Sequence, residues 1–310
     1  MNAVESVGDS LRAVRGVRSW RKAPVAPFTT MGVGGRAALL LSVSDPEALV
    51  QVLAVLRDAA IPWAVLGAGS NVLVSDGGFP GALVTLDEGF HFVEAPRELP
   101  GTSDVRVVAG AGLPLTRLAS HLADLGLSGL EFGCGIPGSV GGAVAMNAGA
   151  HGGCMADVVD YVELARPGGT SWCSAADLGL VYRGSRIPTD AVVTAASLRL
   201  RPAEPYLVQE RQRELLKTRR RTQPRGVRTF GSTFKNPPGD TAGRLLDVAG
   251  MKGVRRGGAQ VSPFHANFIA NLGDATATDV MALMGMMRDT VRTRLGVDLE
   301  PEVRFFGDSH

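Results

Sequence analysis

The backbone positions best suited to chemistry are concentrated in residues 129–153, a stretch that is unusually rich in glycine. Its glycines are Gly129, Gly133, Gly135, Gly138, Gly141, Gly142, Gly149, Gly152 and Gly153. Glycine inside a helix or strand costs roughly 0.5–1 kcal/mol relative to alanine, so this density needs another purpose. Backbone N–H groups can then approach an anionic or flat ligand, where a Cβ would clash. Taken alone, however, a glycine-rich surface loop explains the stretch at least as well.

Two familiar nucleotide motifs do not fit the glycine turns. Residues 133–138 match G-x-G-x-x-G, but Pro137 falls where the helix of a dinucleotide fingerprint should begin, so a Rossmann site is rejected. A second turn, residues 67–71, follows an expected strand, which is where open sheets usually bind ligands. Ser70 and Asn71 could donate hydrogen bonds to phosphate there. No lysine follows within the turn, which excludes a Walker P-loop.

Periodicity predicts the elements that position these turns. A buried strand over 38–43 leads through a capping box at Ser44–Glu47 into a helix, and a strand over 63–66 follows. Further strands are predicted near 105–109, 158–164 and 191–200, and helices at 115–125, from about 205 to 221, and around 280–295. The methionines of the last helix are interpreted as core.

Composition indicates an ordinary globular chain. It has 310 residues, 45% of them hydrophobic and 20% charged, with a formal net charge of +2, too mild to imply a nucleic-acid partner. No apolar run approaches the roughly 18 residues of a membrane span. Three cysteines without paired spacing predict reduced thiols in the cytoplasm. The arginines of residues 11–22 are interpreted as a solvated N-terminal helix, and His151 with Cys154 is too small a set for a metal site.

Three further segments carry polar side chains: Tyr182–Ser185, Gly231–Pro237 and Leu299–Arg304. Each alone is most simply a surface turn or an edge strand. In this order and with these gaps, however, they join the glycine segments in resembling the UDP-N-acetylenolpyruvylglucosamine reductase (MurB) family of vanillyl-alcohol-oxidase-like flavoproteins. The resemblance extends from about residue 30 to 307, which makes chance agreement hard to sustain.

The resemblance implies an α+β fold with a PCMH-type FAD-binding domain of two α+β subdomains. These would cover about residues 25–88 and 89–204, with the C-terminal strand 301–310 packing back on them. A smaller C-terminal α+β substrate domain would cover residues 205–300.

Non-covalent FAD is the cofactor that the resemblance implies, with NADPH as the co-substrate that reduces it. The positions implied to bind FAD are Gly34, Gly67, Ala68, Gly69, Ser70, Asn71, Ile136, Pro137, Gly138, Ser139, Gly141, Gly142, Ala143, Asn147, Gly149 and Arg304. No metal is expected.

The implied reaction delivers hydride from flavin N5 to the methylene carbon of an enolpyruvyl ether on UDP-N-acetylglucosamine, giving UDP-N-acetylmuramate for peptidoglycan synthesis. Negative charge would then develop beside the carboxylate, where preorganised electrostatics contributes most. Arg183 matches the family position of the stabilising cation, and its planar fork suits a carboxylate. Ser232 matches the proton donor, and Glu302 matches the residue that helps to hold this constellation.

Substrate contacts are implied for Tyr182, Arg183, Lys217, Arg225, Lys235 and Asn236. The basic run from Arg211 to Arg228 lacks the interleaved aromatics of a nucleic-acid patch, so we interpret it as a solvated helix whose end helps to hold the diphosphate. The chain departs from the enteric-type members, because no loop after Arg183 can bring a tyrosine over the substrate. It resembles the shorter, second type, and His151 stands where a tyrosine is common.

The sequence thus predicts a cytoplasmic enzyme, expected to be a monomer, whose partners are a UDP-sugar and NADPH, with no nucleic acid and no membrane. Two alternatives remain open. The first is a flavin oxidase or dehydrogenase of the same fold that acts on a hydroxy acid or sugar. The second is a non-catalytic UDP-sugar-binding protein, against which the joint presence of Arg183, Ser232 and Glu302 argues.

Overall fold

The structure is a computed structural model that describes residues 3–307. The predicted C-terminal strand reached residue 310, so its last three residues lie outside the described part. The helices are α1 (Ala3–Arg12), α2 (Pro46–Asp58), α3 (Leu115–Asp124), α4 (Val140–Ala145), α5 (Pro205–Thr222), α6 (Ala242–Val248) and α7 (Ala277–Leu295). Within residues 3–307 no helix combines the length and the apolar character needed to cross a membrane.

The strands are mostly short. They are β1 (Val17–Pro24), β2 (Arg36–Val43), β3 (Trp63–Val65), β4 (Val72–Val74), β5 (Phe79–Leu86), β6 (Arg97–Glu98), β7 (Val105–Gly110), β8 (Leu127–Ser128), β9 (Gly149–Ala150), β10 (Gly153–Cys154), β11 (Val159–Arg166), β12 (Gly169–Ser174), β13 (Val192–Pro202), β14 (Arg255–Arg256), β15 (Ala259–Val261), β16 (Ile269–Asn271) and β17 (Arg304–Phe306).

The chain divides into two compact units. Unit 1 comprises residues 1–21, 39–68 and 81–219, and unit 2 comprises residues 22–38, 69–80 and 220–310. The domains predicted from the sequence were defined by the ligand that each would bind, whereas these units are defined by compactness. The predicted domain boundaries therefore stay a prediction.

In unit 1, a four-stranded sheet in the order β1-β2-β5-β3 packs against α2, with β3 and β5 parallel. The predicted capping box on Ser44 is wrong. Asp45 is the N-cap, with its carboxylate accepting the Ala48 N–H at 2.9 Å, while the Ser44 hydroxyl donates to the Gly16 carbonyl. Pro46 follows at the first helical position, where its missing N–H costs nothing.

The basic N-terminal segment is not a helix beyond Arg12, which corrects the helix predicted over residues 11–22. Val17 and Ser19 are buried whereas Arg18 and Trp20 are exposed, so burial alternates with the period of a strand. The pairing of β1 with β2 satisfies the backbone and decides the outcome.

The second sheet of unit 1 is antiparallel, in the order β12-β11-β13-β7-β6, and β8 pairs with the end of β13. Helix α3 buries Leu115, Leu118 and Leu122 in the same core. The predicted strands near 105–109, 158–164 and 191–200 are confirmed by β7, β11 and β13. Strand β12 was not predicted, because it is a polar edge strand with few apolar residues.

Unit 2 contains the antiparallel sheet β14-β15-β16, the parallel pair β4 and β17, and helices α6 and α7. Helix α7 begins with a capping box of Thr276 and Asp279 and ends at Gly296 in the left-handed conformation. Its methionines Met284 and Met287 are buried against Phe230 and Phe234, which confirms the prediction that they belong to the core.

Candidate functional site

Gly67 and Ala68 begin the glycine turn of residues 67–71 and lie in unit 1, directly after β3. They closely approach the glycine-rich residues 129–153, called here the central glycine stretch. A Cβ on Gly67 would lie 2.8 Å from the Ser139 hydroxyl oxygen, closer than real Cβ contacts. These residues are more than 70 positions apart in the sequence, so the fold brings together two segments that were predicted separately as cofactor contacts. Glycine at position 67 is what permits that approach.

The central glycine stretch forms a short helix whose first N–H groups are already paired. Ser139 is the N-cap of α4, with its hydroxyl accepting the Gly142 N–H at 3.3 Å. The Val140 N–H donates to Leu113 and the Gly141 N–H donates to Ala111, at 2.9 and 2.8 Å. A Cβ on Gly141 would meet the Ala111 side chain at 2.8 Å. Gly141 is therefore required for packing, and its predicted contact with a cofactor stays a prediction.

Asn147 connects this stretch to the segment that carries Arg183. Its Nδ2 donates to the Val181 carbonyl at 3.0 Å and its Oδ1 accepts the Ala156 N–H at 2.9 Å. The Ser185 hydroxyl donates to the Ala145 carbonyl at 2.8 Å. One end of the Arg183 turn is thus bonded to the last residue of α4 and the other to Asn147, just after α4. The buried Asn147 amide holds the chain here, and its predicted contact with a cofactor stays a prediction.

Arg183 occupies a strained backbone position. Its φ is +57°, in the left-handed region that an arginine rarely adopts, within a turn closed by two hydrogen bonds between Val181 and Gly184. Its guanidinium lies 5.2 Å from the ring centroid of Tyr182, in the range of a cation–π contact. Such strain costs of order 1–3 kcal/mol and occurs preferentially at functional sites. The backbone therefore supports a functional interpretation of Arg183.

The second half of the glycine turn 67–71 lies in unit 2, where close contacts with neighbouring backbone fix its shape. Gly69 has φ +63°, and a Cβ there would lie 2.0 Å from the Phe28 carbonyl oxygen. Gly34 is similar, with φ +121° and a Cβ position 2.9 Å from the Val74 side chain. Both residues must be glycine for the chain to fold this way, whatever ligand it holds.

Asn71 links the glycine turn to the segment around Glu302 and to the start of β17. Its Nδ2 donates to the Glu302 carbonyl at 3.0 Å, and its own carbonyl accepts the Arg304 N–H at 3.0 Å. One amide hydrogen of Asn71 thus holds the segment of Glu302 in place, and the predicted role of Asn71 as a donor to phosphate stays a prediction.

Two of the predicted catalytic residues, Ser232 and Glu302, belong to neighbouring segments of unit 2. The Glu302 N–H donates to the carbonyl of Thr233 at 2.9 Å, and Phe234 lies opposite Pro301 in the same pairing. Their positions in the sequence are 70 residues apart, so no local pattern could show this proximity.

The other predicted substrate contacts of this turn have structural partners. Lys235 forms an ion pair with Glu300 at 2.6 Å, and the Oδ1 of Asn236 accepts the Ala242 N–H at the start of α6, at 3.0 Å. The exposed ion pair contributes little to stability and can exchange for a ligand anion. Asn236, in contrast, is committed to capping α6 by its oxygen.

Arg219, a half-buried arginine of unit 1, belongs to the basic run that was predicted to help hold the diphosphate. Arg219 lies against the central stretch, since a Cβ on Gly135 would be 2.6 Å from the Arg219 Cδ. Burial lowers the pKa of its guanidinium. Burial and the nearby charges of Arg219 and Arg211 also lower the pKa of His151, so this imidazole stays neutral at pH 7. Lys217 is exposed in unit 1 and Arg225 is exposed in unit 2.

Among residues 3–307, no group of three or more His, Cys, Asp or Glu side chains could hold a metal ion. Burial raises the pKa of the Cys134 thiol, which lies near the charge of Arg219. Burial and the hydrogen bond to Asp157 raise the pKa of Cys154. Both thiols are therefore poor nucleophiles.

Comparison with known families divides the chain in two. Residues 37–174 match the model of an FAD binding domain. Residues 223–306 match the model of the UDP-N-acetylenolpyruvoylglucosamine reductase, C-terminal domain.

Individual relatives match nearly the whole chain. A UDP-N-acetylenolpyruvoylglucosamine reductase of Anaeromyxobacter sp. (strain Fw109-5) is 48% identical over 96% of this chain and 92% of its own length. The enzyme of that name from Myxococcus xanthus is 42% identical over 92% of this chain and 91% of its own length. Among solved structures, the UDP-N-acetylenolpyruvylglucosamine reductase (MurB) from Thermus caldophilus superimposes with a TM-score of 0.79 at 38% identity. That alignment covers 94% of this chain and 99% of the other. The predicted α+β fold class with a PCMH-type FAD-binding domain is confirmed.

Proposed function

The chain belongs to the UDP-N-acetylenolpyruvoylglucosamine reductase family, and on that premise we propose that it reduces the enolpyruvyl ether of UDP-N-acetylglucosamine to UDP-N-acetylmuramate. The electrons come from NADPH through bound FAD, and the product serves peptidoglycan synthesis. The observation that carries the proposal is the pairing of the Ser232 segment with the Glu302 segment, through the bond from the Glu302 N–H to the Thr233 carbonyl. This pairing supports a joint role for two residues that the resemblance implies to be catalytic.

The glycine segments fit FAD as the cofactor. In unit 1 the absence of a Cβ on Gly67 lets its backbone lie close to the Ser139 hydroxyl, where the two segments meet. In unit 2, Gly34 and Gly69 keep side chains away from their turns in the same manner. When bound, FAD supplies the hydride that the substrate's methylene carbon accepts.

Arg183 is proposed to stabilise the negative charge that develops beside the substrate carboxylate. Its planar guanidinium can contact both carboxylate oxygens at once. The turn holds it before the substrate arrives, because its two ends are bonded to Ala145, at the end of α4, and to Asn147. Preorganised charge of this kind is usually the largest catalytic contribution.

Ser232 is proposed to deliver the proton, and Glu302 to orient the groups around it. A serine hydroxyl is a weak acid, but the enolate-like carbon that receives its proton is strongly basic. Gly231, with φ +84°, adopts the left-handed conformation immediately before Ser232. The glycine therefore takes the left-handed conformation at this turn, and Ser232 does not.

The basic side chains around α5 are proposed to hold the diphosphate. Lys217 and Arg225 are exposed and can change partners at little cost, and Lys235 can leave its exposed partner Glu300. Tyr182 supplies an exposed ring beside Arg183. Arg304 is proposed to contact the cofactor. The three free thiols support the proposed cytoplasmic location, and the monomeric state stays a prediction.

An anaerobic titration tests this function. NADPH should bleach the flavin absorbance of the holoenzyme, and one equivalent of the enolpyruvyl substrate should restore it. UDP-N-acetylglucosamine, which lacks the double bond, is the control and should leave the flavin reduced. Recovery only when oxygen is admitted would instead identify an oxidase, and a protein that takes up no flavin would contradict the proposal entirely.

A further inference from the structure

The segment that carries Ser232 is bonded along one edge to the segment of Glu302, which precedes β17. On this edge the Glu302 N–H donates to the Thr233 carbonyl, and the residue after Phe234 makes the next backbone hydrogen bond. Phe234 itself lies opposite Pro301 and makes no hydrogen bond on this edge. In an antiparallel ladder this pattern directs the N–H and C=O of Phe234 to the opposite edge. Phe234 is 1% exposed, so these groups need partners there.

The side chain of Asn267 supplies both partners. Its Oδ1 accepts the Phe234 N–H at 3.0 Å and its Nδ2 donates to the Phe234 carbonyl at 2.8 Å. The backbone carbonyl of Asn267 also accepts the Thr233 N–H at 2.8 Å. The side-chain amide of Asn267 thus makes the two hydrogen bonds that a neighbouring strand would otherwise make with Phe234. Asn267 is itself only 3% exposed.

Asn267 is in turn fixed from behind. Its N–H donates to Nδ1 of His265 at 3.2 Å, and the ring of His265 packs edge-on against Phe268 with centroids 4.9 Å apart. The hydroxyl of Ser262 accepts the His265 N–H at 3.3 Å. The amide can therefore change its position only if the neighbouring loop moves with it.

We infer that Asn267 is a positioning residue for Ser232, which it orients by holding both backbone groups of Phe234 and the N–H of Thr233. The inference rests on the proposed function, in which Ser232 delivers a proton. Asn267 is not catalytic, because its amide is occupied by the backbone. A shift of about 1 Å in a reacting group can cost about 100-fold in rate, so this control of the backbone bears directly on proton delivery.

Asn267→Asp in the holoenzyme is the test, because the carboxylate keeps the shape and the acceptor but cannot donate to Phe234. We expect reoxidation of the reduced flavin by substrate to slow about 10- to 100-fold, whereas flavin reduction by NADPH stays within about twofold. Lowering the pH should restore part of the rate, since a protonated carboxyl regains the donor. If this variant fails to bind FAD, Asn267→Gln displaces the same groups by one methylene.

Asn271→Asp is the matched control. Asn271 is 6% exposed, and its Nδ2 donates to the Met31 carbonyl at 3.0 Å, away from the Ser232 segment. It should lower the unfolding midpoint about as much as Asn267→Asp without the selective loss of the substrate step. Equal slowing by both variants, or slowing of both half-reactions, would assign Asn267 a structural role only and overturn the inference.

A double mutant separates this inference from the proposed function. Asn267→Asp should add little to Ser232→Ala, because a donor that is absent cannot be misplaced. Multiplied losses would overturn the inference while leaving the donor assignment intact. If Ser232→Ala alone leaves the substrate step unchanged, the proposed donor is wrong, and the inference is overturned with it.

Discussion

The turns of Arg183 and Ser232 both present a polar side chain, but they hold it in different ways. At Arg183 the arginine itself adopts the left-handed conformation, with φ +57°, and hydrogen bonds of Asn147 and Ser185 hold the ends of the turn. At Ser232 the preceding Gly231 adopts that conformation. The serine segment is then bonded along both edges. The first turn stores strain, whereas the second places the left-handed conformation on a glycine, which adopts it without strain.

This difference predicts how each turn fails. Loss of a fastening bond at the Arg183 turn should release strain and let the guanidinium move, so binding should suffer first. The Ser232 segment has no strain to release, so its variants should change the chemistry at that side chain and little else.

Ser232→Ala should give the largest effect. Removal of a positioned general acid typically costs 10²–10⁴-fold, or roughly 2.7–5.5 kcal/mol on the barrier. The loss should appear only when reduced enzyme meets substrate, and flavin reduction by NADPH should be nearly unchanged. Rapid mixing of the two half-reactions measures both. Equal slowing of NADPH oxidation would mean that the serine is structural or near the nicotinamide.

Arg183→Lys should come next, with a different signature. A point charge replaces a bidentate fork, so both the substrate step and the substrate affinity should fall by about tenfold or more, the value of one charged hydrogen bond. The contrast with Ser232→Ala, whose affinity should change little, is the diagnostic observation. Substrate titrations of the reduced enzyme provide it, and an unchanged dissociation constant would count against a contact with the carboxylate.

Ser185→Ala tests the fastening directly. The hydroxyl bond to the Ala145 carbonyl should contribute about 0.5–1.5 kcal/mol, and its loss should weaken substrate binding by a similar amount through Arg183. Ser174→Ala removes an exposed bond to Asp177 and serves as the control. If both variants bind substrate like the parent, the Arg183 turn does not need its fastening.

The same contrast shows what a sequence can predict. Apolar periodicity predicts helix α7 and strands β7, β11 and β13, because apolar side chains at a regular spacing along the chain share one buried face. Other features depend on residues far apart in the sequence. These are the strained turn of Arg183, the bond of Glu302 to Thr233, and the hydrogen bonds that Asn267 makes to the Ser232 segment. The helix predicted over residues 11–22 was wrong for the same reason, since a partner strand decides the conformation of β1. For the site, the resemblance supplied residue types, and only the structure shows which polar groups the fold already occupies.

The smallest effect concerns His265, behind the Ser232 segment. Burial lowers its pKa below 6.5, with the charge of Lys252 acting in the same direction and that of Asp247 against it. The unfolded chain therefore binds a proton at a higher pH than the folded chain, so this contribution to stability is complete above pH 6.5 and is lost as the pH falls through the folded pKa.

One titrating group changes the unfolding free energy by at most about 1.4 kcal/mol per pH unit, and solvent screening of this half-buried ring reduces that. His265→Asn keeps an acceptor near the Asn267 N–H but does not titrate. Denaturant unfolding from about pH 8 to about pH 5.5 should therefore show a steeper loss of stability for the parent than for the variant. Parallel curves would mean that His265 titrates alike in both states. Its link to Asn267 would then be insensitive to pH, and the Ser232 segment would have no titrating support.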